Sequence, residues 1–322
     1  MLKKSIFLLL AIAINIGVVC AENMADIRRE TERAISLIEH KRYAEARQLL
    51  LLLRERVPID EEALVRHVNF GLVQCAAELH DNDAEKRMLA FLRRYPESVH
   101  VNDVRFMLAM YYCEREEYSM ARKYLNEVSY KVLTADNKER YNMRMGYIEF
   151  TSGDYDRAYK LFSILSPTGT YADHAIYYKS YIHYARGEYN EAYKGFESLK
   201  NSDNYEKIIP YYLFQIEFAR GNYQYVVKNG DELLKKSVET ERTELMRIMA
   251  EAWYRLQGYN KSFLYMSMYN RAGGKMSRED NYILGYSAYR STDYATAIEA
   301  LRSAANGSDE LAQNASYHLA DC

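Results

Sequence analysis

The residues that could carry chemistry in this sequence are its histidines, and their spacing predicts no catalytic residue and no metal site. None forms the HExxH pattern, in which two histidines one helical turn apart bind zinc. His183 falls on an apolar helix face, where a histidine that packs and forms a hydrogen bond is commoner than a catalytic one. The Gly-x-Ser-x-Gly turn of serine hydrolases does not occur either. The seven histidines are scattered along the chain: His40, His67, His80, His100, His174, His183 and His318.

A glycine-rich segment at 271–277, Arg-Ala-Gly-Gly-Lys-Met-Ser, superficially resembles a phosphate-binding loop. That motif needs an earlier glycine where Tyr269 stands, and a serine or threonine where Met276 stands. We therefore expect a turn between two helices, with Ser277 and Asp280 forming a capping box at the start of the second. No cofactor is predicted.

The first residues are typical of a secretion signal. Lys3 and Lys4 precede an apolar stretch at 6–19, which is shorter than the about 20 residues of a membrane span. Small residues around Ala21 favour cleavage after it, so we expect an exported chain in the periplasm or associated with the outer membrane. Cys20 leaves open the less favoured alternative of a lipid anchor, because Val19 precedes it rather than Gly or Ala. No later segment is apolar enough to span a membrane.

Composition narrows the possible fold and function classes of the protein. The 322 residues are 48% hydrophobic, which is enough to bury a large core. The formal net charge is −2 and no basic stripe is present, which argues against nucleic acid as a partner. Four prolines in the whole chain favour long helices. After cleavage, Cys75, Cys113 and Cys322 are spaced too widely for a disulfide framework.

A Tyr followed three residues later by Ala recurs through the chain after a polar turn. Two further copies, at Tyr223 and Tyr259, keep the spacing with another second residue, and Ala84 marks a degenerate copy with Asp81 in place of Tyr. Successive copies are 34 to 38 residues apart, which indicates a repeat of two helices. The clear copies are Tyr43/Ala46, Tyr118/Ala121, Tyr155/Ala158, Tyr189/Ala192 and Tyr294/Ala297.

The residue nine positions before each repeated Tyr is usually small. Small residues let two antiparallel helices cross closely, so these positions predict the crossing with the Ala of the second helix. Phe214 breaks the rule, and we expect its hairpin to be splayed or repacked. The small residues are Ala34, Ala109, Gly146, Ser180, Ala250 and Gly285.

The turns predict how each hairpin is closed. Glycines between the helices should end the first helix in a left-handed conformation, at Gly153, Gly187, Gly221 and Gly258. Polar residues directly after the repeated Tyr should cap the second helix, at Ser119, Asp156, Asn190 and Asn260. Pro210 should mark a helix start or a kink.

This pattern resembles the tetratricopeptide repeat family over residues 25 to 322. The resemblance implies an all-α, right-handed α-solenoid of about eight helix-turn-helix repeats at 22–322, after a signal peptide at 1–21. Residues 95–98, Tyr-Pro-Glu-Ser, also resemble a repeat boundary of bacterial envelope proteins. We expect repeats at about 25–60, 61–97, 98–134, 135–171, 172–205, 206–240, 241–276 and 277–310, then a truncated ninth helix at 311–322. That abrupt end predicts a longer protein.

Aromatic residues recur at three offsets before the repeated Tyr, on the first helices that line the groove of such a solenoid. Twelve and five before, aromatics are common framework residues of the family, whereas eight before, the family tends to be polar. Tyr147, Tyr181 and Tyr286 occupy that middle offset and are the more telling candidates for binding. The other candidate groove residues are Tyr177, Tyr211, Tyr282, Tyr184, Phe218, Tyr254 and Tyr289.

These observations predict a scaffold that is not an enzyme and that holds envelope proteins or their peptide segments in an aromatic groove. Two alternatives stay open. Tyr rings also stack on sugars, which would make the chain a glycan-binding envelope protein, although the groove offsets lack Trp. The chain could also be the docking module of an enzyme whose catalytic domain lies beyond residue 322.

Overall fold

The computed structural model describes residues 24–322, so the predicted signal peptide and Cys20 lie outside the described residues. Every regular element in this range is a helix, and the all-α prediction is confirmed. The helices are α1 (24–39), α2 (Tyr43–Arg56), α3 (Glu62–Glu78), α4 (Ala84–Arg94), α5 (Val101–Glu114), α6 (Tyr118–Glu127), a 3₁₀ turn (Tyr130–Val132), α7 (Ala135–Thr151), α8 (Tyr155–Ile164), α9 (Ala172–Ala185), α10 (Tyr189–Ser198), α11 (Ile209–Ala219), α12 (Tyr223–Lys236), α13 (Glu239–Arg255), α14 (Tyr259–Arg271), α15 (Arg278–Arg290), α16 (Tyr294–Ala304) and α17 (Glu310–Asp321).

The described helices form two compact units, one of α1 to α7, which ends at Asp154, and one of α8 to α17, which spans Tyr155–Cys322. In the first unit α2 to α7 pack in sequence order, and α3 also contacts α5 in the next hairpin. In the second unit α8 to α17 pack in order, and α11, α13, α15 and α17 contact one another in succession. The first helices of consecutive hairpins therefore lie side by side, which is the arrangement of an α-solenoid.

The repeated alanines lie where the two helices of a hairpin cross. Ala121, Ala192 and Ala297 are completely buried. Gly285 on α15 faces α16 so closely that an added Cβ would lie 2.7 Å from Leu301 Cγ and 2.9 Å from its backbone nitrogen. Close approach of the helices thus depends on the absence of a side chain at this position.

The hairpin of α11 and α12 differs because Phe214 takes the place of the small residue. Its ring is buried with Val226 in the core that α11, α12 and α13 share. Beside it a cavity of about 590 Å³ opens, lined by Phe214, Tyr225, Leu233 and Val238 among others. The large side chain is therefore accommodated in the core, but the hairpin leaves an open cleft.

Left-handed residues end the first helices, mostly as predicted. Gly153, Gly187 and Gly221 have φ angles of 83°, 74° and 78°. The prediction for Gly258 is wrong, because Gln257 takes the left-handed conformation with φ 60° and Gly258 follows at φ −80°. A side chain can occupy this conformation at a modest cost in strain, so the turn geometry is kept without a glycine.

The predicted caps of the second helices are wrong by two positions. These helices begin at the repeated Tyr itself, and the residue before it caps where a side-chain cap exists, as Asn222 and Asp293 do. Ser119, Asp156, Asn190 and Asn260 therefore lie inside the first turn. Asn190 and Asn260 instead accept hydrogen bonds of 2.8 Å from the next hairpin, from Arg220 Nη2 and Ser291 Oγ, and Asp156 pairs with Arg186.

Two other local predictions are confirmed. Ser277 and Asp280 form the capping box at the start of α15, and each side chain accepts a hydrogen bond of 3.0 Å from the backbone N–H of the other. Pro210 lies in the first turn of α11, where its missing N–H leaves no helical hydrogen bond unmade.

Candidate binding surface

The predicted groove residues are all half-buried, and the structure brings most of them into two groups in the second unit. The exceptions are Tyr147 and Phe218. Tyr147 lies in the first unit, with its ring 5.7 Å from Tyr118 between centroids. Phe218 contacts Tyr223 at the turn of its own hairpin, with ring centroids 5.8 Å apart.

The central cluster consists of Tyr177, Tyr181 and Tyr184 on α9 with Tyr211 and Tyr212 on α11. Tyr212 is its centre, because its ring lies 5.8 to 6.0 Å from the rings of the other four in edge-to-face contact. The same ring stacks on Phe196 of α10 at 4.8 Å. Aromatic contacts of this kind fix ring positions before any ligand arrives.

Hydroxyl groups of the central cluster are paired with neutral partners. The hydroxyls of Tyr177 and Tyr212 lie 3.2 Å apart, and Tyr184 donates a hydrogen bond to Gln215. Burial raises the pKa of Tyr184 to about 12 and also raises the pKa of Tyr212. These phenols therefore stay protonated at neutral pH and can act as hydrogen-bond donors.

The C-terminal cluster consists of Tyr254, Tyr259, Tyr282, Tyr286 and Tyr289. Tyr286 is its centre, with ring centroids 5.3 Å from Tyr259, 5.9 Å from Tyr254 and 6.0 Å from Tyr282. Tyr289 completes the group at 6.3 Å from Tyr286 and donates a hydrogen bond of 3.1 Å to Asp321 of α17.

Two ionisable side chains enter the C-terminal cluster. The Arg290 guanidinium lies 4.5 Å from the centre of the Tyr259 ring and donates a hydrogen bond of 3.2 Å to the Tyr286 hydroxyl. His318 of α17 lies 4.7 Å from Tyr286 between ring centroids. Burial lowers the pKa of His318, and its Nδ1 is a buried atom for which the described residues provide no hydrogen-bond partner.

The first helix between α11 and α15 is α13, and it carries charged side chains at the groove positions. Arg247 occupies the outermost groove offset there, with Glu244 at 2.7 Å, Glu251 at 3.6 Å and Asp280 at 3.9 Å. The hydrogen bond to Glu244 and the charges of the other carboxylates raise the pKa of Arg247. The aromatic groove predicted from the offsets is thus interrupted by an ion-pair network at α13.

The sequence prediction missed several members of these clusters. Tyr212 falls one position after the recognised offset, where the preceding repeat has Tyr178. That recurrence was a usable signal. Arg290 lies four residues before Tyr294, and Arg255 lies four residues before Tyr259, so the periodic pattern gave a weak signal for it. His318 has no histidine at the matching offset in other repeats.

Other groups in the described residues give little support for chemistry. Burial raises the thiol pKa of both Cys75 and Cys113 to about 11, so neither forms the reactive thiolate at neutral pH. Across 24–322 no three His, Cys, Asp or Glu side chains are grouped so that they could hold a metal ion. None of the helices in that range combines the length and the apolar character that crossing a membrane requires.

Comparisons with known proteins give structural neighbours only. No protein-family model and no curated protein matches the sequence. Among solved structures, a tetratricopeptide repeat protein from Parabacteroides merdae is 13% identical, with a TM-score of 0.43 over 81% of this chain and 98% of that one. PilF of Pseudomonas aeruginosa is 13% identical, with a TM-score of 0.47 over 62% and 88%. The C-terminal part of a repeat protein from Cytophaga hutchinsonii is 15% identical, with a TM-score of 0.41 over 88% and 98%.

These scores are too low to carry the assignment, which rests on the chain itself. The Tyr–Ala frame recurs every 34 to 38 residues, the alanines are buried at helix crossings, and the first helices lie side by side. The described residues therefore fold as tandem helical hairpins in an all-α arrangement.

Proposed function

We propose that this protein is an interaction scaffold, and not an enzyme, whose tyrosine clusters bind a segment of another protein. The observation that carries the proposal is that the clustered tyrosines are half-buried and mutually packed, and that all of them except Tyr259 lie on neighbouring first helices. Tyrosine that is already fixed offers an apolar ring and a hydroxyl to a ligand at little further loss of side-chain entropy. A fully buried core would offer neither.

A protein segment suits these clusters better than a sugar. Tyrosine rings in edge-to-face contact leave gaps for side chains and hydroxyls for backbone groups, whereas sugar sites often use an exposed Trp face. The one Trp of the chain, Trp253, packs against the core of α13 and α14. We expect one segment to bind near micromolar affinity, which corresponds to about −8 kcal/mol.

We also propose that the protein acts in the bacterial cell envelope, in the periplasm or at the outer membrane, on envelope proteins. The support for this is the N-terminal pattern of Lys3, Lys4 and the apolar stretch. Mass spectrometry of the mature protein tests it. A chain that begins at Glu22 supports soluble export, a lipidated Cys20 at the N-terminus supports an anchor, and an uncleaved cytoplasmic chain contradicts the proposal.

The binding proposal is tested by panning a displayed peptide library against residues 24–322 and measuring the selected peptides by calorimetry. A variant with Tyr147, Tyr181 and Tyr286 changed to Ala should bind at least tenfold more weakly. The matched control changes Tyr225 to Ala, an exposed tyrosine outside the clusters.

Equal loss in both variants, or no loss in the first, would contradict a role for the clusters. A glycan array on the same two variants distinguishes the sugar alternative, since sugar binding without peptide binding would replace the proposal.

A further inference from the structure

Two histidines from neighbouring hairpins meet in the first unit, away from the tyrosine clusters. His67 lies on α3, and His100 directly precedes α5. Nε2 of His100 lies 3.3 Å from Nδ1 of His67, and the two ring centroids are 5.2 Å apart at 64°. The pair plays no part in the Tyr–Ala repeat frame.

The surroundings hold the His100 ring in this position. It stacks on Phe70 with centroids 3.9 Å apart and an interplanar angle of 5°. Asp103 Oδ2 lies 3.7 Å from His100 Nδ1, the nitrogen on the side opposite His67. A carboxylate near the outer nitrogen of a histidine is the usual arrangement behind a metal-bound imidazole, because it favours a lone pair on the other nitrogen.

The distances suit a shared metal ion better than a straight hydrogen bond. Two nitrogens that bind one tetrahedral ion at about 2.05 Å lie about 3.3 Å apart, and their ring centres lie about 5.2 Å apart. A linear hydrogen bond of the same N–N length would place the ring centres about 5.6 Å apart. The observed centroid distance of 5.2 Å is the distance that a common tetrahedral ligand requires and is shorter than a straight hydrogen bond gives.

We propose that His67 Nδ1 and His100 Nε2 bind one divalent late transition-metal ion of the zinc and copper class. Imidazole nitrogen is a preferred ligand for these ions. Binding requires that the hydrogen between the two rings move to the outer nitrogen of the ring that carries it, so that both facing nitrogens present a lone pair and both imidazoles stay neutral. Because no third metal-binding side chain joins this pair in 24–322, water completes the coordination. The bound ion joins the second hairpin to the third.

The test uses the protein without a polyhistidine tag and titrates it with ZnCl₂ and CuCl₂ by calorimetry and thermal unfolding. We expect one saturable ion per chain, tighter for Cu²⁺ than for Zn²⁺, and a melting temperature about 3–6 °C higher at saturation. His67→Gln and His100→Gln should each abolish both effects. His80→Gln is the matched control, because His80 is an exposed histidine of the same unit, 3.8 Å from Glu114, and should leave them unchanged.

A second variant separates ligation from folding. Asp103→Asn keeps both imidazoles and should weaken Cu²⁺ binding about tenfold while the metal-free melting temperature stays the same. Electron paramagnetic resonance of the Cu²⁺ form should show two nitrogen ligands in the parent chain and one in either Gln variant. Absence of saturable binding, or binding that survives His67→Gln and His100→Gln together, would overturn the proposal.

Discussion

Tyr212 and Tyr286 each stand at the centre of a tyrosine cluster on neighbouring first helices, yet the clusters offer a ligand different chemistry. Around Tyr212 the polar partners are neutral, namely the Tyr177 hydroxyl and, through Tyr184, the Gln215 amide. Around Tyr286 the partners include a guanidinium and an imidazole, from Arg290 and His318. The direct hydrogen-bond partners in the central cluster are therefore neutral, although the carboxylate of Glu244 acts electrostatically on Tyr184 and Tyr211. The C-terminal cluster has the Arg290 guanidinium at one edge and the Asp321 carboxylate at Tyr289.

The difference arises in part from the next hairpin, which supplies His318, and in part from Arg290 at the end of α15 itself. Tyr181 and Tyr286 occupy the same offset, but α11 places Tyr212 against the first, whereas α17 places His318 against the second. Each cluster is completed by the helix that follows it. A repeat protein can thus vary its binding chemistry from hairpin to hairpin while the crossing residues keep the same frame.

The largest effect should come from filling the crossing beneath the C-terminal cluster. Gly285→Ala puts a methyl group 2.9 Å from the Leu301 backbone nitrogen, which cannot move without shifting α16. We expect a loss of about 1–2 kcal/mol in the free energy of unfolding, because overpacking exceeds the gain in helix propensity. Urea unfolding followed by circular dichroism measures it.

The matched change under the central cluster is Gly195→Ala. There the added Cβ would meet the Ser180 hydroxyl, which moves away only by giving up its 2.7 Å hydrogen bond to the Ile176 carbonyl, and would lie 3.1 Å from Ser180 Cβ, but it meets no backbone atom. The change in stability should stay within about 1 kcal/mol of the parent chain. If Gly285→Ala and Gly195→Ala lower the free energy of unfolding equally, the helices of the C-terminal hairpin do not cross more closely than those of the central one. That result would contradict the comparison between the two hairpins.

The second prediction concerns the hydroxyls at the two centres. Tyr212→Phe leaves the half-buried Tyr177 hydroxyl without its partner at 3.2 Å and should cost about 0.5–1.5 kcal/mol. Tyr286→Phe removes a bond to the exposed Arg290, which water can replace, so we expect a smaller loss. Thermal unfolding of both variants measures the difference. A larger loss of stability for Tyr286→Phe would mean that the charge of the partner, rather than burial, decides how much the hydrogen bond of the hydroxyl contributes.

The sequence predicts the repeated helical hairpins because residue size and backbone chemistry determine them locally and recur with the repeat. The crossing at Gly285, the capping box at Ser277 and the helix start at Pro210 each follow from residue size or backbone chemistry. The turn at Gln257 was missed, because a left-handed residue other than glycine is strained and sequence gives no sign of what offsets that strain.

The candidate site was predictable only in part. The offsets place Tyr181 and Tyr286 on first helices, but not which side chains from the next hairpin meet them. His318 reaches Tyr286 because of how α17 is turned against α15, and that rotation depends on many contacts rather than on one residue. The break in the groove at Arg247 was visible in the sequence as a charged residue at an aromatic offset, but its ion-pair network was not.

The third prediction removes the charge from the C-terminal cluster. Arg290→Met keeps much of the apolar side chain and loses the contact at 4.5 Å with the Tyr259 ring. An exposed cation–π contact is weak, so the loss in stability should be small and should shrink in high salt. Arg302→Met on the exposed face of α16 is the control and should change little. An equal loss in the control would show that the effect is general charge rather than the cluster.

At high pH the two clusters should behave alike. Burial raises the pKa of Tyr184 in one and of Tyr254 in the other, so the folded chain keeps protons that the unfolded chain releases above about pH 10. Stability should therefore fall as the pH rises from about 10 toward 12 in both. The two clusters should differ in how stability changes at acidic pH.

The smallest predicted effect is the acid response that His318 gives to the C-terminal cluster. Burial lowers the pKa of His318 from its ordinary value of 6.5. Near pH 6.5, His318 is therefore protonated in the unfolded chain but still neutral in the folded chain. Stability therefore falls as the pH drops below about 6.5, until the folded pKa is reached. His318→Gln should lose less stability between pH 7 and pH 5 than the parent chain, as urea unfolding at each pH measures. If the His318→Gln and parent curves run parallel, the imidazole is not desolvated by Tyr286, and the chemical contrast with the Tyr212 cluster reduces to Arg290 alone.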